Sequence, residues 1–385
     1  MLALCLLFGS LVACGGQPAP DSAQAAVQRL LDTRAAAVLR HDETAYTRTG
    51  ARTAYENLSA VPLAAWSYRL TSLHRTGATA TADADLSYRV RGYDTSPVTV
   101  GRALTLRLTA DGQWYVASDK PAKKSGQQLW DQGKVSVVKG AHSLVMGVGQ
   151  STAGLREYRT LADHAVPAVS GAWGTDWTRH VVVLVPDSLD GMAGLLGAPA
   201  ASYRGIAAVT TGEAGGSGDA PADRIIVNPD AYAMLGSVGK QVVLTHETTH
   251  VATRAHTTSA TPLWLSEGYA DWIGYRGTGR TPVQAAPELY RAVEDGNLPT
   301  ALPADKDFGF SGEAGELAQA YEGGWLACRM IEDRWGVVRL GQFYRAVGAH
   351  KKRAGAVEDA MKKVLGVSLD DFTAQWRDYL KTQLA

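Results

Sequence analysis

Residues 246–250 read His246-Glu247-Thr248-Thr249-His250, and Glu267 follows inside Trp264-Leu265-Ser266-Glu267-Gly268-Tyr269-Ala270-Asp271-Trp272. Positions four apart on a helix lie one turn above each other, and the apolar run Val242-Val243-Leu244 that leads into the first motif has helical character. His246 and His250 can therefore present two imidazole nitrogens to one point. Glu267 begins a second helix-compatible segment after a loop that contains Pro262. To deliver its carboxylate beside the two histidines, this segment has to fold back antiparallel on the first. Two imidazoles and one carboxylate form a donor set for a tetrahedral divalent ion, and a single Zn²⁺ is expected.

Glu247 falls beside these ligands but is too close in sequence to His246 to share its metal easily. It can instead hold and deprotonate a zinc-bound water, whose pKa the ion lowers to about 7. Thr248 and Thr249 can face away from the site. Asp271, four residues past Glu267 and on the same helix face, can accept a hydrogen bond from the outer nitrogen of a ligand histidine and fix its tautomer. His256 competes with Glu267 as third ligand, standing six residues past His250. A helix that returns a third histidine at that spacing needs a glycine at which to turn, and Thr253 occupies the position. His256 is therefore read as a helix-end or loop residue, and Glu267 as the ligand.

The two motifs together resemble the gluzincin metallopeptidases, the superfamily of thermolysin and aminopeptidase N. The resemblance implies His246, His250 and Glu267 as zinc ligands, Glu247 as general base and Asp271 as the partner of a ligand histidine. It extends to Ala320-Tyr321-Glu322-Gly323-Gly324-Trp325, similar to the aminopeptidase segment whose tyrosine hydroxyl stabilises the oxyanion of the tetrahedral intermediate. Tyr321 is the candidate for that role, with Gly323 in place of the family's lysine. The stretch from Gly366 to Trp376 resembles the short terminal helix pair that closes such domains. The Gly-x-Met-Glu-Asn strand with which aminopeptidases of the superfamily anchor a substrate amine has no counterpart in the sequence, so the resemblance does not extend to exopeptidase specificity.

Residues 1–13 are almost wholly apolar and end in Leu11-Val12-Ala13 before Cys14-Gly15-Gly16, which resembles a bacterial lipoprotein signal with its lipobox. Thirteen residues reach about 20 Å as a helix, short of a membrane span. Cleavage would leave Cys14 as the lipidated first residue, a lipid anchor to the outer face of the cell membrane. No Lys or Arg precedes the apolar stretch, which points to a start farther upstream. With Cys5 removed and Cys14 acylated, Cys328 remains alone on a helical pattern as a buried thiol. The 38 basic and 38 acidic residues cancel, so composition suggests neither nucleic acid nor an anionic surface as a partner. Nothing in the sequence specifies an oligomeric state.

The expected fold class is α+β. After the signal (1–13) and a polar tether (14–22), residues 23–119 combine a helix over 23–40 with strands at Trp66–Leu70, Ala78–Val90, Val98–Leu108 and Trp114–Ala117. Asp111-Gly112 supplies a hairpin turn. One helix before a curved antiparallel sheet resembles the NTF2-like cone. The lysine- and proline-containing stretch 120–126 reads as a linker, extending to 133, and the metallopeptidase domain occupies 134–385. Within that domain, Val135–Val138 and Val181–Val185 read as strands around a helix near 153–170. Gly205–Thr211 and Arg224–Val227 read as a hairpin, and Gly205–Thr211 is the candidate edge strand along the cleft. The leading functional reading is a membrane-tethered, extracytoplasmic zinc peptidase acting on a peptide or protein substrate. The alternative is a non-catalytic surface lipoprotein that keeps the zinc fold, and the N-terminal cone, for binding.

Overall fold

The computed structural model describes residues 20–211, 223–309 and 314–385, so the lipobox and Cys14 lie outside the described residues. Helix α1 (Pro20–Leu39) opens the chain, and its face of Val27, Leu31, Ala35 and Val38 is buried at the helical spacing the sequence shows. Two short helices follow, α2 (Glu43–Thr47) and α3 (Arg52–Leu58). At five and seven residues they are too short for apolar periodicity to reveal them.

Strands β1 (Leu63–Thr76), β2 (Thr79–Val90), β3 (Val98–Leu108) and β4 (Trp114–Pro121) form an antiparallel meander in sequence order. Register follows the buried side chains: Trp66 lies opposite Tyr88, Leu86 opposite Val100 and Leu106 opposite Val116. Ala80, Ala82, Ala84, Leu86, Tyr88 and Val90 all point inward, as the period of two requires. Trp66, Tyr68, Tyr88 and Trp130 pack ring against ring in the interior of this module.

The stretch that reads as a linker is packed. Strand β4 continues through Pro121, and α4 (Leu129–Gln132) buries Leu129 and Trp130. The cause is a charge that sequence alone cannot pair. Arg102 on β3 is buried, donating from Nε to Asp119 at 2.7 Å and through its fork to Asp131 at 2.8 and 2.9 Å. A buried guanidinium needs carboxylates on its donors, and these two bring both ends of the connection onto the sheet.

A second, mixed sheet has the strand order β5-β6-β7-β9-β8. Its members are β5 (Ser136–Lys139), β6 (Ser143–Gly147), β7 (Val181–Val185), β8 (Ala208–Thr210) and β9 (Arg224–Val227). Strands β6, β7 and β9 run parallel, while β5 and β8 are antiparallel edges. Strand β6, five residues buried along their whole length with only Leu144, Val145 and Met146 as an apolar run, has no alternation by which a sequence can mark it. Helix α5 (Thr152–Trp173) crosses from β6 to β7, and α6 (Leu189–Leu196) follows β7. Alternate residues serve two cores. Leu144, Met146, Val182, Leu184 and Ile226 join the interior of the first sheet, whereas Val145, Val183, Val185, Ile225 and Val227 pack on the opposite face with Leu155 of α5 and Leu244. Asp94, buried in the loop after β2, accepts from Arg224 of β9 at 2.8 Å and ties the two sheets together.

The remainder is helical. After α7 (Pro229–Ala233) come α8 (Ser237–Thr253), α9 (Leu263–Tyr275), α10 (Pro282–Ala285) and α11 (Pro287–Glu294). They are followed by α12 (Ala314–Trp335), α13 (Val337–Gly348), α14 (Ala356–Ala360) and α15 (Leu369–Gln383). Their common core includes Trp264, Tyr269, Leu326, Phe343, Phe372 and Trp376, with the Cys328 thiol fully buried among them. The class is thus α+β, with an antiparallel sheet first and a helical C-terminal part. Among the described residues no helix is long and apolar enough to cross a membrane.

Candidate metal centre

Helix α8 carries His246, Glu247 and His250, and α9 carries Glu267 and Asp271. Three pairings set their register. A methyl on Gly274 would touch Val242, Asp271 Oδ1 lies 2.8 Å from His246 Nδ1, and Glu267 Oε2 lies 3.3 Å from His250 Nε2. As positions rise along α8 they fall along α9, so the helices run antiparallel, and residues four apart on α8 meet residues three and four apart on α9.

The donors converge. His246 Nε2 and His250 Nε2 are 3.0 Å apart, and Glu267 Oε2 stands 3.2 and 3.3 Å from them. Donors about 2.0–2.2 Å from a tetrahedral ion lie roughly 3.3–3.6 Å from one another, so this triangle has nearly the size zinc requires. The chemistry of the set agrees. With Nδ1 of His246 directed at the Asp271 carboxylate, its proton belongs there, and Nε2 offers a lone pair to the triangle. Three carboxylates, Glu247, Glu267 and Asp271, stand around two imidazoles in a buried setting, and a divalent cation offsets that surplus of negative charge. Burial on its own would raise the Glu267 pKa, but His250 and His246 hold it well below the usual carboxylate range. Burial would likewise lower His246, but Asp271, Glu267 and Glu247 outweigh it and hold its pKa well above the ordinary value.

His256 is elsewhere. It closes the turn after α8 with its ring edge-on to Trp173 at 5.5 Å, and the converging group among the described residues is His246, His250 and Glu267 without it. Burial, then the charge of Arg345, depresses its pKa. Thr248 and Thr249 turn from the donors into the core, where Thr249 donates to the Thr245 carbonyl at 2.8 Å.

Tyr321 reaches the centre through a glycine contact. A Cβ on Gly268 of α9 would stand 2.3 Å from the Gly324 carbonyl carbon of α12, and one on Gly324 would stand 2.6 Å from the Trp264 carbonyl oxygen. Only glycine at both positions allows the two backbones to touch. One turn before Gly324, the Tyr321 ring comes within 6.5 Å of the His246 ring, centroid to centroid, and packs edge-on to Phe308. Gly323 packs against Pro303 and Trp376, so a lysine there would have to displace both.

Two features escaped the sequence reading. Thr210 of β8 donates to Glu247 Oε2 at 2.6 Å. Arg254, four residues past His250, pairs with Asp223 at 3.3 Å and donates to the Thr211 carbonyl at 3.2 Å, holding both flanks of the 212–222 segment against α8. Burial pushes the Asp223 carboxyl up to about 6 against the pull of Arg254 and Arg224. Arg254 continues the spacing of His246 and His250, which could have flagged it. A lone strand threonine carries no such signal. A cavity of about 320 Å³ between the two sheets is lined by Tyr88, Trp130, Met146, Leu184 and Arg224 and reaches Asp223 and Arg254 at the end of α8.

No protein-family model matches the chain, and the comparison with curated proteins gives no match. Among solved structures it is similar to native yeast LTA4 hydrolase, at 11% identity and a TM-score of 0.40, covering 71% of this chain and 43% of that one. An M1 zinc metallopeptidase from Deinococcus radiodurans matches at 17% identity and a TM-score of 0.37, covering 83% of this chain and 61% of the other. A two-domain M1 zinc metallopeptidase variant bound to L-arginine matches at 12% identity and a TM-score of 0.39, covering 82% and 92%. The chain spans less than two thirds of the length of the first solved structures it matches.

Proposed function

We propose that the chain is a zinc-dependent peptidase of the gluzincin type. One observation carries the reading. Three donors converge as for a tetrahedral ion, and a fourth buried group, the Glu247 carboxylate, stands beside them outside the triangle. A purely structural zinc site closes all four positions with ligands and has no use for a base beside an open one.

His246, His250 and Glu267 would hold the ion, with Asp271 fixing the tautomer of His246. When bound, zinc supplies Lewis-acid chemistry, polarising a carbonyl and lowering the pKa of water toward about 7. Glu247 takes the proton of the attacking water and passes it to the leaving amine. The Tyr321 hydroxyl donates to the oxyanion that develops on the former carbonyl. Among the described residues β8 is an edge strand, and it would offer backbone groups to an extended peptide. The N-terminal module is of the NTF2-like cone type, with Trp66, Tyr68, Tyr88 and Trp130 packed inside it, and serves as a scaffold or substrate-positioning module. The likeness of residues 1–16 to a lipoprotein signal with its lipobox supports a location outside the cytoplasmic membrane, anchored through Cys14.

The test is digestion of a peptide library by the purified chain with and without chelator, beside Glu247→Gln. The amide keeps helix packing and the donor triangle but cannot accept the proton. Cleavage should therefore be abolished by chelator and fall about 10² to 10⁴-fold in the variant at unchanged zinc content. Wild-type cleavage by zinc-replete Glu247→Gln would overturn the mechanism. A zinc-replete wild type inert on every peptide would favour the binding-protein reading.

A further inference from the structure

Glu247 is not held by its own helix alone. Thr210 lies on β8, the edge of the mixed sheet, paired with Ile225 of β9, and is almost fully buried. Its Oγ1 stands 2.6 Å from Glu247 Oε2 and 3.1 Å from the Glu247 backbone carbonyl. A hydroxyl has one proton to donate, and the carboxylate, nearer and charged, takes it, because charge-assisted O–H···O⁻ bonds are the short, strong ones.

We propose that Thr210 is a positioning residue for the general base: its hydroxyl fixes Oε2 of Glu247 against the edge strand and leaves Oε1 to address the water. The inference rests on the reading of Glu247 as base and deepens it. A glutamate side chain has three rotatable bonds, and a carboxylate that swings by about 1 Å can lose on the order of 10² in rate. The bond to Thr210 removes that freedom on one side. It also joins two parts of the site that have no connection in sequence, since the residue that orients the base belongs to the strand proposed to pair with the peptide. An extended chain added to β8 would stiffen the strand from which Glu247 is held, so occupancy of the cleft and alignment of the base become one event.

The test compares Thr210→Val, which keeps shape and removes the hydroxyl, with Thr210→Ser, which keeps the hydroxyl, each alone and in the Glu247→Gln background. The expected result is a fall in kcat of about 10- to 100-fold for Thr210→Val at nearly unchanged KM and unchanged zinc content, with recovery of most of the loss by Thr210→Ser. In the Glu247→Gln background Thr210→Val should cost little more, because the group it orients no longer takes the proton. A readout independent of turnover is urea unfolding of the chelator-treated chain. Thr210→Val should lower the midpoint, and lower it less when Glu247 is already Ala, since the unpartnered carboxylate is then gone. Wild-type kcat in Thr210→Val, a serine variant as impaired as the valine one, or an undiminished further loss in the Glu247→Gln background would each overturn the proposal. Full activity in Glu247→Gln itself would instead overturn the reading of Glu247, and the positioning role with it.

Discussion

At the scale of single residues, the ligand question reduces to what can reach the point where His246 and His250 converge. A helix places two imidazoles one turn apart by spacing alone. The third donor comes from wherever the fold returns the chain, and it returns Glu267, with Oε2 at 3.2 and 3.3 Å from the imidazole nitrogens, while His256 packs on Trp173. Removing a ligand opens the site, and loss even of a group that merely orients a ligand lowers metal affinity by about 10- to 100-fold. Glu267→Ala should therefore lose zinc on dialysis by at least that factor, whereas His256→Ala keeps it, both read by elemental analysis. Stoichiometric zinc in Glu267→Ala beside zinc loss in His256→Ala would exchange the two assignments. The presence of two histidines on one helix face was legible in the sequence. The hydroxyl of Thr210 against Glu247 was not, because thirty-seven residues separate partners that meet only when β8 lies along α8.

Among the elements, the crossing of α9 and α12 decides whether Tyr321 belongs to the centre at all. Gly324→Ala would place a methyl 2.6 Å from the Trp264 carbonyl, which forces the helices apart. Overpacking of this kind costs about 1–3 kcal/mol, and as Tyr321 recedes from His246 turnover should fall while zinc is retained. Urea unfolding and kinetics check both, and wild-type values would show that the crossing does not place the tyrosine. The next residue along from Tyr321 locks the other side of α12. Glu322 accepts from the backbone N–H groups of Glu288 and Leu289 at 3.3 and 2.6 Å, at the start of α11. Burial outweighs those donors and pushes its carboxyl up from 4.5 to about 7. A folded pKa above the unfolded one means the folded chain binds more protons between these values. This contribution to stability is therefore complete below about pH 4.5 and is lost as pH rises through 7. Glu322→Gln should abolish that part of the pH dependence, so its stability relative to wild type should improve from pH 5 to 8. A constant difference across the range would contradict the assignment. The long helices and the alternating strands were legible from their periods, whereas β6, buried on both faces, and the short α2 and α3 offered no period to read.

For the whole molecule, the two sheets share one core, and the buried Asp94–Arg224 pair joins a loop of the first to a strand of the second. The helical part then mounts the candidate metal centre, His246, His250 and Glu267, beside the edge of the second sheet. Anchoring belongs to this scale, because a lipid on Cys14 would hold the assembled unit at a membrane surface through the polar stretch 15–22. Labelled fatty acid should follow the wild-type chain into membranes and not follow Cys14→Ser. Equal labelling of the two would remove the lipobox reading.

By itself the sequence determined what is local: which segments have helical or strand period, which residues share a helix face, and that a glutamate stands next to a histidine of the His246–His250 pair. Those properties depend on covalent spacing and the geometry of one element, and spacing is written in the chain. The tertiary structure decided what depends on two elements meeting. It brought the Glu267 carboxylate within hydrogen-bonding range of both histidines, set backbone against backbone at Gly268 and Gly324, and turned a stretch that reads as a linker into a packed strand end and helix around Arg102. Each of these follows from satisfying a buried charge or filling a buried contact, and which groups become buried together is known only once the chain has folded.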